Sequence, residues 1–297
     1  MNNQGYNFTR STNKVLYSTT LLLITVFVFS SCEKFINVDL PEREKKLVVI
    51  SGFQPEETWS VFVSHSKNSF DNQDYDKINN AEVIISHTDG TNPDTLFYSG
   101  KNYVSTNKPV ADVNYKIRVN ASGFTSANSE NKIPGAANII SIDTISGFHN
   151  GEISVDYNLK FKDVPGEENY YIVQLFKNDN NWNYKSEYPL YIQSDDPNIE
   201  KHGDDYGDEF ILLNDQNFDG EEYLFKFYVP GYQFSEGANL VKVKLISCSE
   251  EYYRFQKTLR QSWYTNDNPF SQPIQIFTNI EKGIGIFGGY VVSETVL

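Results

Sequence analysis

The segment Asp215-Gln216-Asn217-Phe218-Asp219-Gly220 sets side-chain oxygens at alternate positions and closes on a glycine. Calcium loops open this way, because a hard cation collects carboxylate and amide oxygens around a sharp turn. In a helix–loop–helix calcium site the twelfth position supplies a bidentate Glu, and here that position is Lys226. The flanking residues also read as strands, which excludes an EF-hand. What remains is a calcium site on a β-loop, with Asp215, Asn217 and Asp219 as ligands and Glu221 or Glu222 closing the shell. The alternative is a tight turn in an Asp/Asn-rich hairpin, where these residues are favoured anyway. A second acidic stretch, Asp71-Asn72-Gln73-Asp74-Tyr75-Asp76, lacks the glycine.

Other catalytic patterns are weak. His65, His87, His149 and His202 are scattered without ligand-like spacing, and there is no cysteine cluster for structural zinc. No Gly-x-Ser-x-Gly elbow occurs. The glycines of Gly283-Ile284-Gly285-Ile286-Phe287-Gly288-Gly289 lead into a strand, Tyr290-Val291-Val292, with no helix dipole to hold phosphate. Closely packed or bulged strand backbone accounts for them. Adjacent acids such as Glu167-Glu168 and Glu221-Glu222 fall on opposite faces of a strand, so they do not make a glycosidase pair. The sequence predicts no enzyme and no cofactor beyond calcium.

Aromatic residues crowd the loops: Trp182, Tyr184, Tyr188, Tyr191, Tyr206, Tyr232 and Phe234. Between Asn178 and Asp208 the chain is polar, aromatic and aperiodic, which predicts a long excursion from a sheet. Tyr and Trp give rigid contact area at low entropic cost. Trp182, Tyr184, Tyr188 and Tyr191 are therefore candidate ligand-binding residues. Packing beneath the loop is the competing explanation.

The first 31 residues contain no Asp or Glu and two basic residues, Arg10 and Lys14. An apolar run, Leu21-Leu22-Leu23-Ile24-Thr25-Val26-Phe27-Val28-Phe29, follows. A basic start and a short apolar run predict a signal peptide over residues 1–31. The run is too short to serve as a membrane-spanning helix. Phe29-Ser30-Ser31-Cys32 then resembles the lipobox of bacterial lipoproteins, in a relaxed form with a bulky residue three before the cysteine. The resemblance implies cleavage before Cys32 and acylation (palmitate among the chains) of its thiol and new amino group. Several acyl chains at about 0.8 kcal/mol per buried methylene hold durably where one would be marginal. No Asp follows the cysteine, which favours the outer membrane over retention at the inner one. The face of that membrane stays open.

The 297-residue chain carries a net charge of −14. Such acidity excludes nucleic acid held through its phosphates, which needs a basic face. Cys32 and Cys248 are the two cysteines, so acylation of the first leaves no intrachain disulfide. Cys248 closes an alternating strand, Val241–Cys248, and reads as a small buried hydrophobe.

The remainder alternates like a β protein, with 20 Tyr and 21 Phe. After a tether at 32–46, strands are predicted at Leu47–Phe53, Trp59–Val63, Ala81–His87, Thr95–Tyr98 and Tyr115–Val119. These predict an N-terminal immunoglobulin-like or transthyretin-like β-sandwich over 47–134. The pattern lapses near Asn131–Asn138. It resumes at Ile139–Ile145, Glu152–Phe161, Tyr170–Phe176, Phe210–Leu213, Tyr223–Val229 and Leu240–Cys248, predicting a second β domain over 138–297. Ser249–Thr265 breaks the rule: Tyr253, Phe255, Leu259 and Trp263 recur at helical spacing after Ser249-Glu250-Glu251. One amphipathic helix near 250–265 is predicted, its stripe toward the core.

Several pieces in order carry a wider resemblance: Leu47-Val48-Val49-Ile50-Ser51-Gly52, Asn80-Ala81-Glu82-Val83-Ile84-Ile85, Gly100-x-x-Tyr103 and Tyr115-Lys116-Ile117-Arg118-Val119, then Asn268-Pro269, Asn279-Ile280 and Gly283–Tyr290. With the lipobox in front, the chain resembles the lipoproteins of the domain-of-unknown-function 4249 family, typical of Bacteroidota. The resemblance spans nearly all of the chain behind Cys32. It implies an outer-membrane lipoprotein, often encoded beside TonB-dependent transporters, with no established reaction and no catalytic residues to carry over. The expected function is a non-enzymatic accessory of such a β-barrel transporter in ligand capture or uptake. An adhesion or envelope-structural module and an unrecognised hydrolase are the alternatives.

Overall fold

In the sequence Leu47-Val48-Val49-Ile50-Ser51-Gly52-Phe53, every second side chain is buried, beginning at Leu47. This is a strand that packs one face on a core, and it is the first element (β1, Leu47–Phe53) of the computed structural model. The structure describes residues 44–67, 77–178, 187–200, 207–234, 240–266 and 272–297. Glu44–Leu297 form one compact unit. The leader, Cys32 and most of the tether lie outside the described residues, as do Asp71–Asp76.

Strands β2 (Ser60–His65), β3 (Glu82–His87), β4 (Asp94–Tyr98), β5 (Tyr103–Val104), β6 (Asn114–Asn120) and β7 (Ala127–Lys132) follow. Next come β8 (Asn138–His149), β9 (Glu152–Lys162), β10 (Tyr170–Asn178), β11 (Tyr188–Leu190), β12 (Ile211–Asn214), β13 (Glu222–Pro230) and β14 (Leu240–Cys248). Helix α1 (Glu250–Asn266) and β15 (Ile284–Val296) close the chain. The protein is mainly β, in a β-sandwich-like arrangement with one long helix among the described residues. No described helix is long and apolar enough to cross a membrane.

One large sheet runs in the order β11-β10-β14-β15-β1-β2-β5-β4-β3-β6-β7, with β12 also on β10. A smaller sheet runs β13-β9-β8. The link between early and late strands is β15, which pairs parallel with β1, Val48 opposite Ile284 through Phe53 opposite Gly289. Its second half pairs antiparallel with β14. The sheet also curls so that β7 approaches β15: the Gly289 N–H donates to Asn131 Oδ1 at 2.8 Å.

Core residues form three clusters, and the first crosses the 131–138 segment, since Ile280 and Phe287 join it. The first cluster gathers Leu47, Val49, Trp59, Val83, Tyr103, Ile117 and Ile133, with Phe287 of β15. The second lies between the small sheet (Tyr157, Leu159, Phe161, Phe225, Phe227) and the inner face of β10 and β14 (Tyr171, Val173, Leu175, Val243, Leu245). On the other face of β10 and β14, Ile172, Ile246 and Cys248 meet Tyr253 of α1. Burial on both faces is why Tyr170-Tyr171-Ile172-Val173 reads as a continuous apolar run rather than an alternation. Cys248 is buried, as its strand pattern predicted, and burial pushes its thiol pKa up.

Three strands were not predicted: β5 (two residues between β2 and β4), β7 and β11. β7 is Ala-Asn-Ser-Glu-Asn-Lys, and it is a strand because β6 pairs with it and Asn131 is used inside the fold. β11 is three residues held by β10. The helix is where the sequence placed it, with Ser249 Oγ accepting the Tyr252 N–H at 3.2 Å as an N-cap. Its inward stripe differs. Trp263 is 58% exposed, whereas Arg260 is 4% exposed. The Arg260 guanidinium donates to the Phe210 carbonyl at 2.6 Å, pairs with Asp208 and lies over the Phe210 ring. A buried cation held by Asp208 and the Phe210 carbonyl replaces the expected tryptophan contact.

Gly285 has φ +122°, and a Cβ there would collide with the carbonyl oxygen of Val49 on the parallel neighbour. Gly90 also has positive φ, but open space surrounds it. Gly285→Ala should therefore destabilise by more than about 3 kcal/mol, and Gly90→Ala by about 1 kcal/mol. Paired denaturant titrations check this, and equal costs would refute the steric account of β1–β15.

Candidate functional site

The acidic loop sits where β12 ends and β13 begins. The Phe218 N–H donates to the Asp215 carbonyl at 2.8 Å and the Glu221 N–H to the Phe218 carbonyl at 2.9 Å, so two successive turns wind the segment tightly. Gly220 has φ +69°, a left-handed value that glycine adopts without strain. The winding brings Asp215 and Asp219 to Asp163, just past the end of β9. One carboxylate oxygen from each lies within 4.8 Å of the others. Asp163 and Asp215 are buried, and Asp219 is exposed.

Each carboxylate also has donors from the protein. Asp163 accepts from the Tyr171 hydroxyl and, at 2.6 Å, from the Gly220 N–H. Asp215 Oδ2 accepts from the Asn169 backbone N–H at 2.9 Å and from its side-chain amide at 3.2 Å. Asp219 accepts the Gly166 N–H at 2.9 Å. The group thus ties the 163–169 turn to the 215–220 turn. Burial raises the pKa of Asp215, against the lowering effect of the Asn169 donors, and the nearby Asp163 charge adds to the rise. Tyr171 is likewise raised, by burial first and by the Asp163 bond second.

The remaining expected ligands point elsewhere. Asn217 donates its side-chain amide to Asn198 Oδ1, and Glu222 pairs with Lys160. The three-oxygen convergence suits a divalent cation in charge, yet these residues do not close a shell. Asp163 was missed in the sequence because it lies far upstream of the loop. The turn composition Asp163-Val164-Pro165-Gly166 was the one available signal.

Of the aromatic candidates, Trp182, Tyr184 and Tyr206 lie outside the described residues. Tyr188 is 49% and Tyr191 43% exposed, and Tyr232 is 67% exposed. Phe234 packs against the second core instead. Gln233 fixes Tyr191 from both sides: its Oε1 accepts the Tyr191 N–H at 2.7 Å and its Nε2 donates to the Tyr191 carbonyl at 2.8 Å. The amide acts as a one-residue strand, so a neighbouring tyrosine in the chain, Tyr232, comes beside Tyr191. Glu209 raises the Tyr191 pKa, with burial as the second cause. The result is a rigid, exposed tyrosine surface.

The histidines are engaged in the fold. His65 stacks near Phe124, and His87 meets the edge of Tyr115. His149 lies flat on Tyr228, ring centres 3.8 Å apart, and its Nε2 is 3.0 Å from both Asp156 oxygens. Ser154 donates to the same carboxylate at 2.7 Å. The serine therefore bonds the acid and not the imidazole, which is not the connectivity of a nucleophile, base and orienting acid. His149, Asp156 and Tyr228 floor a cleft of about 520 Å³ walled by Ser194–Pro197. His202 lies outside the described residues.

A family model, Domain of unknown function (DUF4249), matches residues 33–295. The chain belongs to that family. No curated protein matches it. The DUF4249 match covers the carboxylate group and the tyrosine surface, and begins directly after Cys32. Of the residues that carry the resemblance to DUF4249, Tyr103 and Asn279 prove to be structural, and Asn268-Pro269 lies outside the described residues. Tyr103 donates to the Ile78 carbonyl at 2.9 Å and accepts the Ala81 N–H at 2.7 Å within the first core. Asn279 accepts from the Phe287 N–H at 3.0 Å and donates to its carbonyl at 2.8 Å, lining up the start of β15.

Asp215 has a folded pKa above its unfolded value, so the native state holds the proton more tightly. Stability from this group is greatest below the unfolded pKa of about 3.9 and falls as pH rises through the window up to the folded value. Asp215→Asn should accordingly raise the melting temperature at pH 7 relative to wild type, and the gain should vanish near pH 3. Titration calorimetry with calcium tests the cation: saturable heat that Asp163→Asn removes is the result for a bound ion, and flat heat leaves the group as a clamp between turns.

Proposed function

We propose that this DUF4249 protein is a lipoprotein anchored in an outer membrane through acyl chains on Cys32, acting without catalysis as an accessory of a TonB-dependent β-barrel transporter. The observation that carries the reading is the position of Cys32. An acid-free leader with a short apolar run ends on Ser30-Ser31-Cys32, and the family match starts at the next residue. A removable leader followed by an anchored body divides the chain at that point. Residues between Cys32 and β1 then act as a short tether, keeping the body close to membrane partners.

The tyrosine surface is the face offered to a ligand or to the transporter. Tyr188, Tyr191 and Tyr232 are exposed while their backbones are held by β10 and Gln233. Binding there would cost little ordering entropy, which favours contact through these rings.

Metabolic labelling with an alkyne fatty acid should mark the wild-type chain and leave Cys32→Ala unlabelled and released from the membrane fraction. An unlabelled wild type would refute the anchor. Purification from detergent-solubilised envelope should recover a β-barrel transporter in stoichiometric amount, and Tyr191→Ala with Tyr232→Ala should reduce that recovery. Recovery of the anchored chain without any barrel would point to an adhesion or envelope-structural module instead.

A further inference from the structure

β8 is a twelve-residue strand, Asn138–His149, on the outside of the small sheet. It pairs with β9 on one side, and no described residue pairs with its other side. Its outer edge therefore offers a row of backbone N–H and C=O groups. Ile140, Ile145 and Phe148 are 47%, 59% and 69% exposed, and Ile153 opposite Phe148 is 71% exposed. Proteins normally blunt such an edge with lysine, proline or a very short strand. β8 contains neither residue, and Asp143 is its one carboxylate. An apolar, nearly neutral edge in a chain of net charge −14 is where two copies can approach with least repulsion.

The side-chain order narrows the occupant. After the irregularity between Ile139 and Ser141, the pairing with β9 puts Ile142, Thr144, Ser146 and Phe148 on the face that carries Leu159, Tyr157 and Val155. Ser141, Asp143, Ile145, Gly147 and His149 occupy the opposite face. An antiparallel copy centred on Ile145 would match each face to itself. Ile145 would meet Ile145, Ile142 would meet Phe148, and Thr144 would meet Ser146. Asp143 would face Gly147, which has no side chain, with His149 as its diagonal neighbour. Centring on Asp143 would set two carboxylates against each other, and centring on Thr144 would set Ile142 against Ser146. Opposite pairs of like polarity stabilise a sheet, and like charges directly opposed destabilise it.

We propose that β8 is the contact between two copies of this chain, paired antiparallel about a two-fold axis at Ile145 so that their small sheets become one. The contact is isologous and closes on itself, so it yields a dimer and not a fibre. It does not depend on the lipid anchor or on the tyrosine surface.

The test uses the full chain in detergent. Sedimentation should give a concentration-dependent dimer. Ile145→Lys, a change at an exposed position, should weaken it by at least on the order of tenfold, because a lysine would face its own copy, with an unchanged melting temperature. Under mild oxidation Ile145→Cys should give a covalent homodimer. Ser141→Cys, far from its own copy in this register, should give none, as should the unsubstituted parent, all in a Cys32→Ala background whose one other thiol, Cys248, is buried. A monomer at every concentration overturns the proposal. So does a dimer that Ile145→Lys leaves intact, or an Ile145→Cys variant that captures a different protein.

Discussion

The parallel ladder between β1 and β15 is the constraint on which the other elements depend. It joins the two ends of the described chain, and nearly everything between them is placed by it. A parallel neighbour cannot be reached by a hairpin, so β15 returns to β1 only through a long crossover, and its Phe287 completes the first core. The return needs glycine. At Gly285 a side chain would strike Val49, at Gly288 it would crowd Tyr252, and at Gly289 it would strike Lys132. Three strands and the helix thus converge on one run of glycines, and close backbone approach is bought there with conformational entropy.

The same convergence explains why so much of the fold was legible and so little of the site. Strands with one buried face, such as β1 and β6, announce themselves by alternation, because each side chain answers to its own surroundings. β10 announces itself by an unbroken apolar run. β7 could not be read, since its inward residues include Ser129 and Asn131: pairing with β6 places both, and Asn131 also bonds the distant Gly289 and Glu251. Arg260 is the same case on the helix. Its type predicts solvent, and only Asp208 and the Phe210 carbonyl, brought together by folding, make burial tolerable. Two of the three carboxylates of the acidic site were legible, because Asp215 and Asp219 are close in sequence. Asp163 was not, because nothing local ties it to them.

The family resemblance has a physical content that differs from a catalytic signature. Tyr103, Asn279 and the glycines of β15 each satisfy backbone groups or allow strands to touch. These residues mark the architecture of this chain and not its exposed surfaces. Function therefore has to be sought away from them, at the tyrosine surface, the acidic turns and the β8 edge.

Mechanical placement adds one more step. β1 lies inside the large sheet, with β2 on one side and β15 on the other. Under the proposed anchor at Cys32, load would enter the body at the N-terminal end of β1. Force along a strand paired on both sides loads its hydrogen bonds together, in shear, whereas a pull across an edge strand would open them one at a time. An anchored body that must stay folded while its partners move is best attached to such a strand. The parallel ladder that organises the fold would also bear the load of the proposed anchor.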